Sequence, residues 1–167
     1  IDNFARKAVP GAEREPSIEL NWQFDEGPVA LDSRARTAHT QFDGPNLLML
    51  FPLGADGFDL SLHEGEHTPL RGWIPTQKGY GPAPQLVVEQ KPMKQTWLDM
   101  ATVLIPFEGQ TPPAVRTRMF EKTNDQRYWK LVLEWKDGST DDVIWNWRLS
   151  QMIGEVDGMF TDASLLH

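Results

Sequence analysis

Two histidines four residues apart carry the sharpest chemical pattern in the chain. His63-Glu64-Gly65-Glu66-His67 satisfies H-E-x-x-H. On a helix that spacing puts both imidazoles on one face, where they hold zinc while the glutamate takes a proton from metal-bound water. The flanks point away from a helix. Phe58, Leu60 and Leu62 alternate with Asp59, Ser61 and His63 as a strand does, Gly65 weakens a helix and Pro69 ends one. On a strand, residues four apart share a face but stand roughly 13 Å apart, too far to bind one ion. A zinc-dependent hydrolase using His63 and His67 therefore requires a turn at Gly65, and a solvated acidic turn is the simpler expectation. Asp137-Gly138-Ser139-Thr140-Asp141-Asp142 offers carboxylates to Ca²⁺, but lacks the residue order and closing glutamate of an EF loop. An Asp-Gly hairpin accounts for the same residues. The chain has no cysteine and no Gly-x-Ser-x-Gly elbow. The expectation is a chain with no catalytic residue, no metal ligand and no cofactor.

Binding chemistry concentrates elsewhere, in Gly72-Trp73-Ile74-Pro75-Thr76-Gln77-Lys78-Gly79-Tyr80-Gly81-Pro82-Ala83-Pro84. Its proline and glycine content excludes a helix and a central strand. A rigid aromatic loop on a sheet scaffold is the expectation. Trp73 and Tyr80 would stack on a sugar, while Arg71 and Lys78 would meet anionic groups. The competing account is structural, with Trp73 packed at a sheet edge and Tyr80 bonded at a corner. A core position is expected for Trp73, and exposure for Lys78 and Tyr80.

The elements that must carry this loop are strands. Ser17 to Phe24 alternates with Ile18, Leu20, Trp22 and Phe24 on one face. His39 to Phe42 reads as a short strand, and Asn46 to Leu53 as one covered on both faces. Gln85 to Gln90, Gln95 to Phe107 and Val115 to Glu121 follow. Tyr128 to Trp135 and Thr140 to Trp147 flank Asp137-Gly138, and Asp157-Gly158 predicts a last hairpin between Met152-Ile153 and Met159-Phe160. Nine to eleven short strands with turn signals between them predict an all-β, antiparallel β-sandwich over residues 16–167, preceded by an N-terminal arm over 1–15.

Composition agrees with a globular domain. The chain has 167 residues, of which 40% are hydrophobic and 24% charged. No apolar run approaches the ~20 residues of a membrane helix. The net charge of -8 argues against nucleic acid, whose phosphates are met by Lys and Arg. Of seven tryptophans, against two tyrosines, most are expected in the core, and the excess adds slightly to the case for flat-ligand or sugar recognition. An opening Ile1-Asp2-Asn3 reads as a processed protein or a segment of a longer one.

Three stretches together resemble a known family. They are Gly72 to Gly81, then Ala83-Pro84-Gln85-Leu86-Val87-Val88-Glu89-Gln90, then Thr96 to Phe107 closing on Leu104-Ile105-Pro106. This order is similar to the C-terminal β region of heparinase II/III-like polysaccharide lyases, and Asn21-Trp22-Gln23-Phe24-Asp25 looks like the strand ahead of it. The likeness covers roughly residues 17–107. Pro75 stands where the family loop has Ser, and Gln23 where its strand often has His. The family sets an α/α toroid before β-sandwich domains and cleaves uronic-acid-containing glycans by β-elimination, with Tyr and His catalysts on the toroid and central sandwich. The resemblance implies a non-catalytic β-sandwich domain of a bacterial, periplasmic or secreted lyase that supports the catalytic domain or the substrate cleft. Its partners would be polysaccharide or the upstream toroid of the same parent chain. A free-standing carbohydrate-binding module using Trp73 and Tyr80 is the alternative.

Overall fold

The computed structural model describes residues 2–5, 18–52, 58–90, 97–122, 128–145, 154–156, 159–161 and 165–166. Among them the fold is all-β, with antiparallel pairing throughout and no helix. The chain divides into two compact units, Ile1–Pro112 and Pro113–His167.

The first unit runs β1 (Asp2–Ala5), β2 (Ile18–Gln23), β3 (Val29–Asp32), β4 (Thr37–Thr40), β5 (Pro45–Leu50), β6 (Phe58–His63), β7 (Glu66–His67), β8 (Leu70–Arg71), β9 (Trp73–Thr76), β10 (Gly79–Pro82), β11 (Gln85–Gln90), β12 (Trp97–Met100) and β13 (Val103–Glu108). A three-stranded sheet has the order β2-β11-β6, and a four-stranded one the order β13-β5-β4-β3. Both feed one hydrophobic cluster. Leu86 and Val88 of the first sheet join Ala38 and Met49 of the second, with Phe51, and Leu20, Trp22, Leu31, Leu60 and Leu62 pack around them. Period-two alternation therefore turns one face of β2, β6 and β11 toward this cluster and leaves the other to polar residues and the buried Val87. Beside this core, buried Asn46 holds the turn after β4. Its Oδ1 accepts from Thr40 Oγ1 at 2.8 Å and the Phe42 amide at 2.7 Å, and its Nδ2 donates to Gly109 O at 2.8 Å.

Three expectations are refined. The arm contributes β1, which pairs with β12, while residues 6–15 lie outside the described residues. The long strand expected from Gln95 to Phe107 is two, and Gln95 and Thr96 lie outside the described residues. β12 pairs with β1 and β13 with β5, so the chain changes sheets at Ala101-Thr102. That step sets Val103, Ile105 and Phe107 as the more buried side of β13 and leaves Leu104 45% exposed. Third, the aromatic loop is a hairpin: β9 and β10 pair with Pro75 opposite Tyr80. Prolines are tolerated because the pair forms its own two-stranded sheet, which has no interior strand.

The second unit contains β14 (Val115–Lys122), β15 (Tyr128–Trp135), β16 (Thr140–Trp145), β17 (Gly154–Val156), β18 (Met159–Thr161) and β19 (Leu165–Leu166). Its main sheet has the order β14-β15-β16-β19. Leu131, Val132 and Leu133 are consecutive and all buried, so β15 is covered on both faces. The Asp137-Gly138 hairpin forms as expected between β15 and β16. β17 and β18 pair across the second Asp-Gly, whose own residues 157 and 158, with 146–147 and 152–153, lie outside the described residues.

Candidate functional site

The face of β2, β11 and β6 opposite the core cluster carries mostly polar side chains in register, with buried Val87 the apolar exception. Gln85 stands opposite Gln23 on one side and His63 on the other, and Val87 in the next row stands between Asn21 and Ser61. The β7–β8 and β9–β10 hairpins are tied to this sheet by Gly72. Its amide donates to Gln85 Oε1 at 2.9 Å, and its carbonyl accepts from the Gly65 and Ala83 amides, each at 2.9 Å. Gly72 has φ +69, and a Cβ there would stand 2.5 Å from Glu64 Cα. Only glycine fits such an approach at a left-handed φ.

A cleft of about 390 Å³ opens at this junction. Trp73 and Tyr80 line it from the β9–β10 hairpin, His67, Leu70 and Arg71 from β7 and β8, and Gln23 and Gln85 from the sheet. Tyr80 is 75% exposed and Leu70 73%. Trp73 is half-buried, donates from Nε1 to Glu66 O at 2.8 Å, and holds its ring centroid 5.0 Å from that of His67. Its orientation is thereby set from two sides. Gln23 Nε2 donates to Pro84 O at 3.0 Å, and Gln85 Nε2 to Asn21 Oδ1 at 3.3 Å.

Arg71 is the cation that lines this cleft, and it is already engaged. Its Nη2 pairs with Glu19 Oε1 at 2.8 Å, and its Nη1 lies 3.3 Å from His63 Nε2. A guanidinium can only donate, so His63 Nε2 accepts. His63 Nδ1 lies 2.8 Å from Glu66 Oε1 and carries the proton given to that carboxylate. Ser61 Oγ, 2.8 Å from His63 Nε2, completes a hydroxyl–imidazole–carboxylate chain. This has the order of an acyl-transfer relay. Ser61 and His63 do not line the cleft, however, and the chain instead braces Arg71.

In fold, the chain resembles part of a heparan sulfate lyase. Two crystal structures of heparan sulfate lyase HepC from Pedobacter heparinus, one of them a mutant, superpose with TM-scores of 0.61 and 0.60 at 20% and 22% identity. The match covers 78% of this chain and 20% of each lyase, so the chain spans about a fifth of the length of those enzymes. No family profile matches the sequence, and no curated protein does.

Of the four expected sugar-contacting residues, Arg71, Trp73 and Tyr80 meet at one cleft, and Lys78 sits exposed at the hairpin turn outside its lining. Trp73 is a half-buried wall of that cleft, where a core position was expected. H-E-x-x-H forms no helix. Gly65 at φ +63 bends the chain between β6 and β7, His63 is bonded to Glu66, and His67 packs on Trp73. No three metal-ligating side chains cluster among the described residues. The acids of Asp137 to Asp142 are each bonded within the second unit. Asp137 accepts from the Ser139 hydroxyl at 2.6 Å and its amide at 2.9 Å, which holds that carboxyl below the usual range. Asp141 accepts from Trp135 Nε1 at 2.8 Å, and Asp142 pairs with Lys130 at 2.7 Å. The sequence reading missed Glu19, Gln85 and the cleft role of Gln23. The one available signal was their shared parity on two alternating strands.

Proposed function

We propose that this chain is a non-catalytic β-domain of a heparinase II/III-like polysaccharide lyase, in which the cleft between Trp73 and Tyr80 meets the glycan. The observation that carries the reading is the fold likeness to a heparan sulfate lyase over 78% of the chain. The site's chemistry supports it. Two aromatic rings beside two carboxamides suit a pyranose, whose C–H face stacks and whose hydroxyls hydrogen-bond. Arg71 and Lys78 add donors at and beyond the cleft. The charge at the cleft supports a non-catalytic role. β-Elimination beside a uronate is favoured by a positive group that neutralises the carboxylate as the C5 proton leaves. Arg71 already carries Glu19, and His67 packs at a tilt against Trp73. The parent enzyme, with its toroid, supplies the reaction.

The test mixes the isolated chain with heparin-type and alginate-type polymers and follows ultraviolet absorbance of unsaturated uronate. No rise is expected. A rise that scales with protein and disappears in Tyr80→Phe would overturn the non-catalytic reading.

A further inference from the structure

We infer that the second unit carries a binding site of its own, which takes an oxyanion borne on a saccharide, either a uronate carboxylate or a sulfate ester. A cleft of about 540 Å³ opens where the start of β14 meets the end of β15 and the turn into β16. It shares no residue with the cleft at Trp73 and Tyr80. Register sets its polar lining on one face of the sheet. Arg116 stands opposite Glu134, and Glu134 opposite Thr140. Lys136 comes two positions after Glu134, and its amide donates to Ala114 O at 3.1 Å, which carries the pairing one residue beyond β15. Arg116 and Lys136 are therefore diagonal neighbours, roughly 7–8 Å apart at the backbone. Two side chains of that length can close on one anionic group.

The lining holds two cations against one acid, and that acid, Glu134, is already paired with Arg118. The other acids nearby do not line the cleft. Asp137 turns its carboxylate to the Ser139 hydroxyl and amide, Asp141 accepts from Trp135 Nε1, and Asp142 pairs with Lys130. Arg116 and Lys136 are both exposed, and neither side chain has a hydrogen bond or ion pair among the described residues. In a chain of net charge -8 this is a local positive site, and it draws an anion that the average surface repels. A guanidinium offers a planar fork to a carboxylate or sulfate, an ammonium adds a point charge, and the Thr140 hydroxyl donates beside them. The volume is that of a small-molecule site and exceeds what a lone ion fills. The anion is therefore one group of a larger molecule. Its assignment to a saccharide rests on the reading of the chain as a lyase domain.

The experiment follows the backbone amides of the whole chain by NMR as probes are added at low and high salt. The probes are trigalacturonate, sulfated maltotriose, maltotriose itself, and sulfate and citrate as anions without a sugar. Both acidic saccharides should shift the Arg116, Lys136, Gly138 and Thr140 amides saturably, and high salt should weaken each about tenfold. Maltotriose and the two sugar-free anions should bind there at least about tenfold more weakly. Replacing both cations, Arg116→Gln with Lys136→Gln, should weaken the acidic saccharides about tenfold and leave the thermal midpoint unchanged. Glu134→Gln removes the acid from the lining and should strengthen them several-fold. Sulfate or citrate binding as tightly as the saccharides would mean an adventitious ion only and overturn the inference. So would equal binding of maltotriose, or affinity that survives the double substitution. Shifts at Arg116 and Lys136 with none at Trp73 or Tyr80 would uphold this site and remove the glycan reading of the first cleft. Shifts at Trp73 and Tyr80 alone would do the reverse.

Discussion

The two faces of the β2-β11-β6 sheet are built from the same strands by opposite strategies. On the inner face Leu20, Trp22, Leu60, Leu62, Leu86 and Val88 share one cluster with residues of a second sheet. Each contact there is non-directional, and many neighbours carry the load. The outer face works through single bonds between named atoms: Arg71 to Glu19, His63 to Glu66, Gly72 to Gln85. Apolar packing specifies that the sheet exists, whereas directional bonds specify what stands on it. The inner face should therefore dominate stability, and the outer face the shape of the cleft.

Substitutions can break this division in order of expected effect. Leu86 is wholly buried on the central strand, and Leu86→Ala should cost roughly 2–5 kcal/mol in denaturant unfolding. Gly72→Ala sets a Cβ against the Glu64 backbone at a left-handed φ and should cost about 2–3 kcal/mol while abolishing saccharide binding. Gln85→Ala deprives the buried Gly72 amide of its acceptor and should cost roughly 1–2 kcal/mol. Tyr80→Ala, at 75% exposure, should move stability by less than about 0.5 kcal/mol. It should nonetheless weaken glycan binding by roughly 1–3 kcal/mol, on the scale of a base stacked on an aromatic ring. If the Tyr80 change melted the domain as strongly as the Leu86 one, the division between faces would be wrong.

The same division explains what the sequence made legible. Alternation marks apolar faces, so β2, β6, β11, β15 and the Asp137-Gly138 hairpin could be read directly. β3 was missed because Val29–Asp32 is four residues long between two turns, too short for a period to register. The change of sheets at Ala101-Thr102 was hidden for another reason: apolar residues continue across it, and only pairing partners distinguish β12 from β13. At the site, Trp73 and Tyr80 announced themselves by type. Glu19 did not, because its bond to Arg71 spans 52 positions and exists only once β2 and β6 have both paired with β11. Local pattern carries no record of such a meeting.

Gly72 makes the cleft adaptable as well as well formed. Its carbonyl receives two main-chain amides, from Gly65 and Ala83, and these ties involve no side chain of Leu70, Lys78 or Tyr80. The rim can thus change while the floor stays the same. A library randomised at 70, 78 and 80 would sample new sugar preferences on a constant frame, so this hairpin pair is a natural starting point for evolving lectin-like reagents.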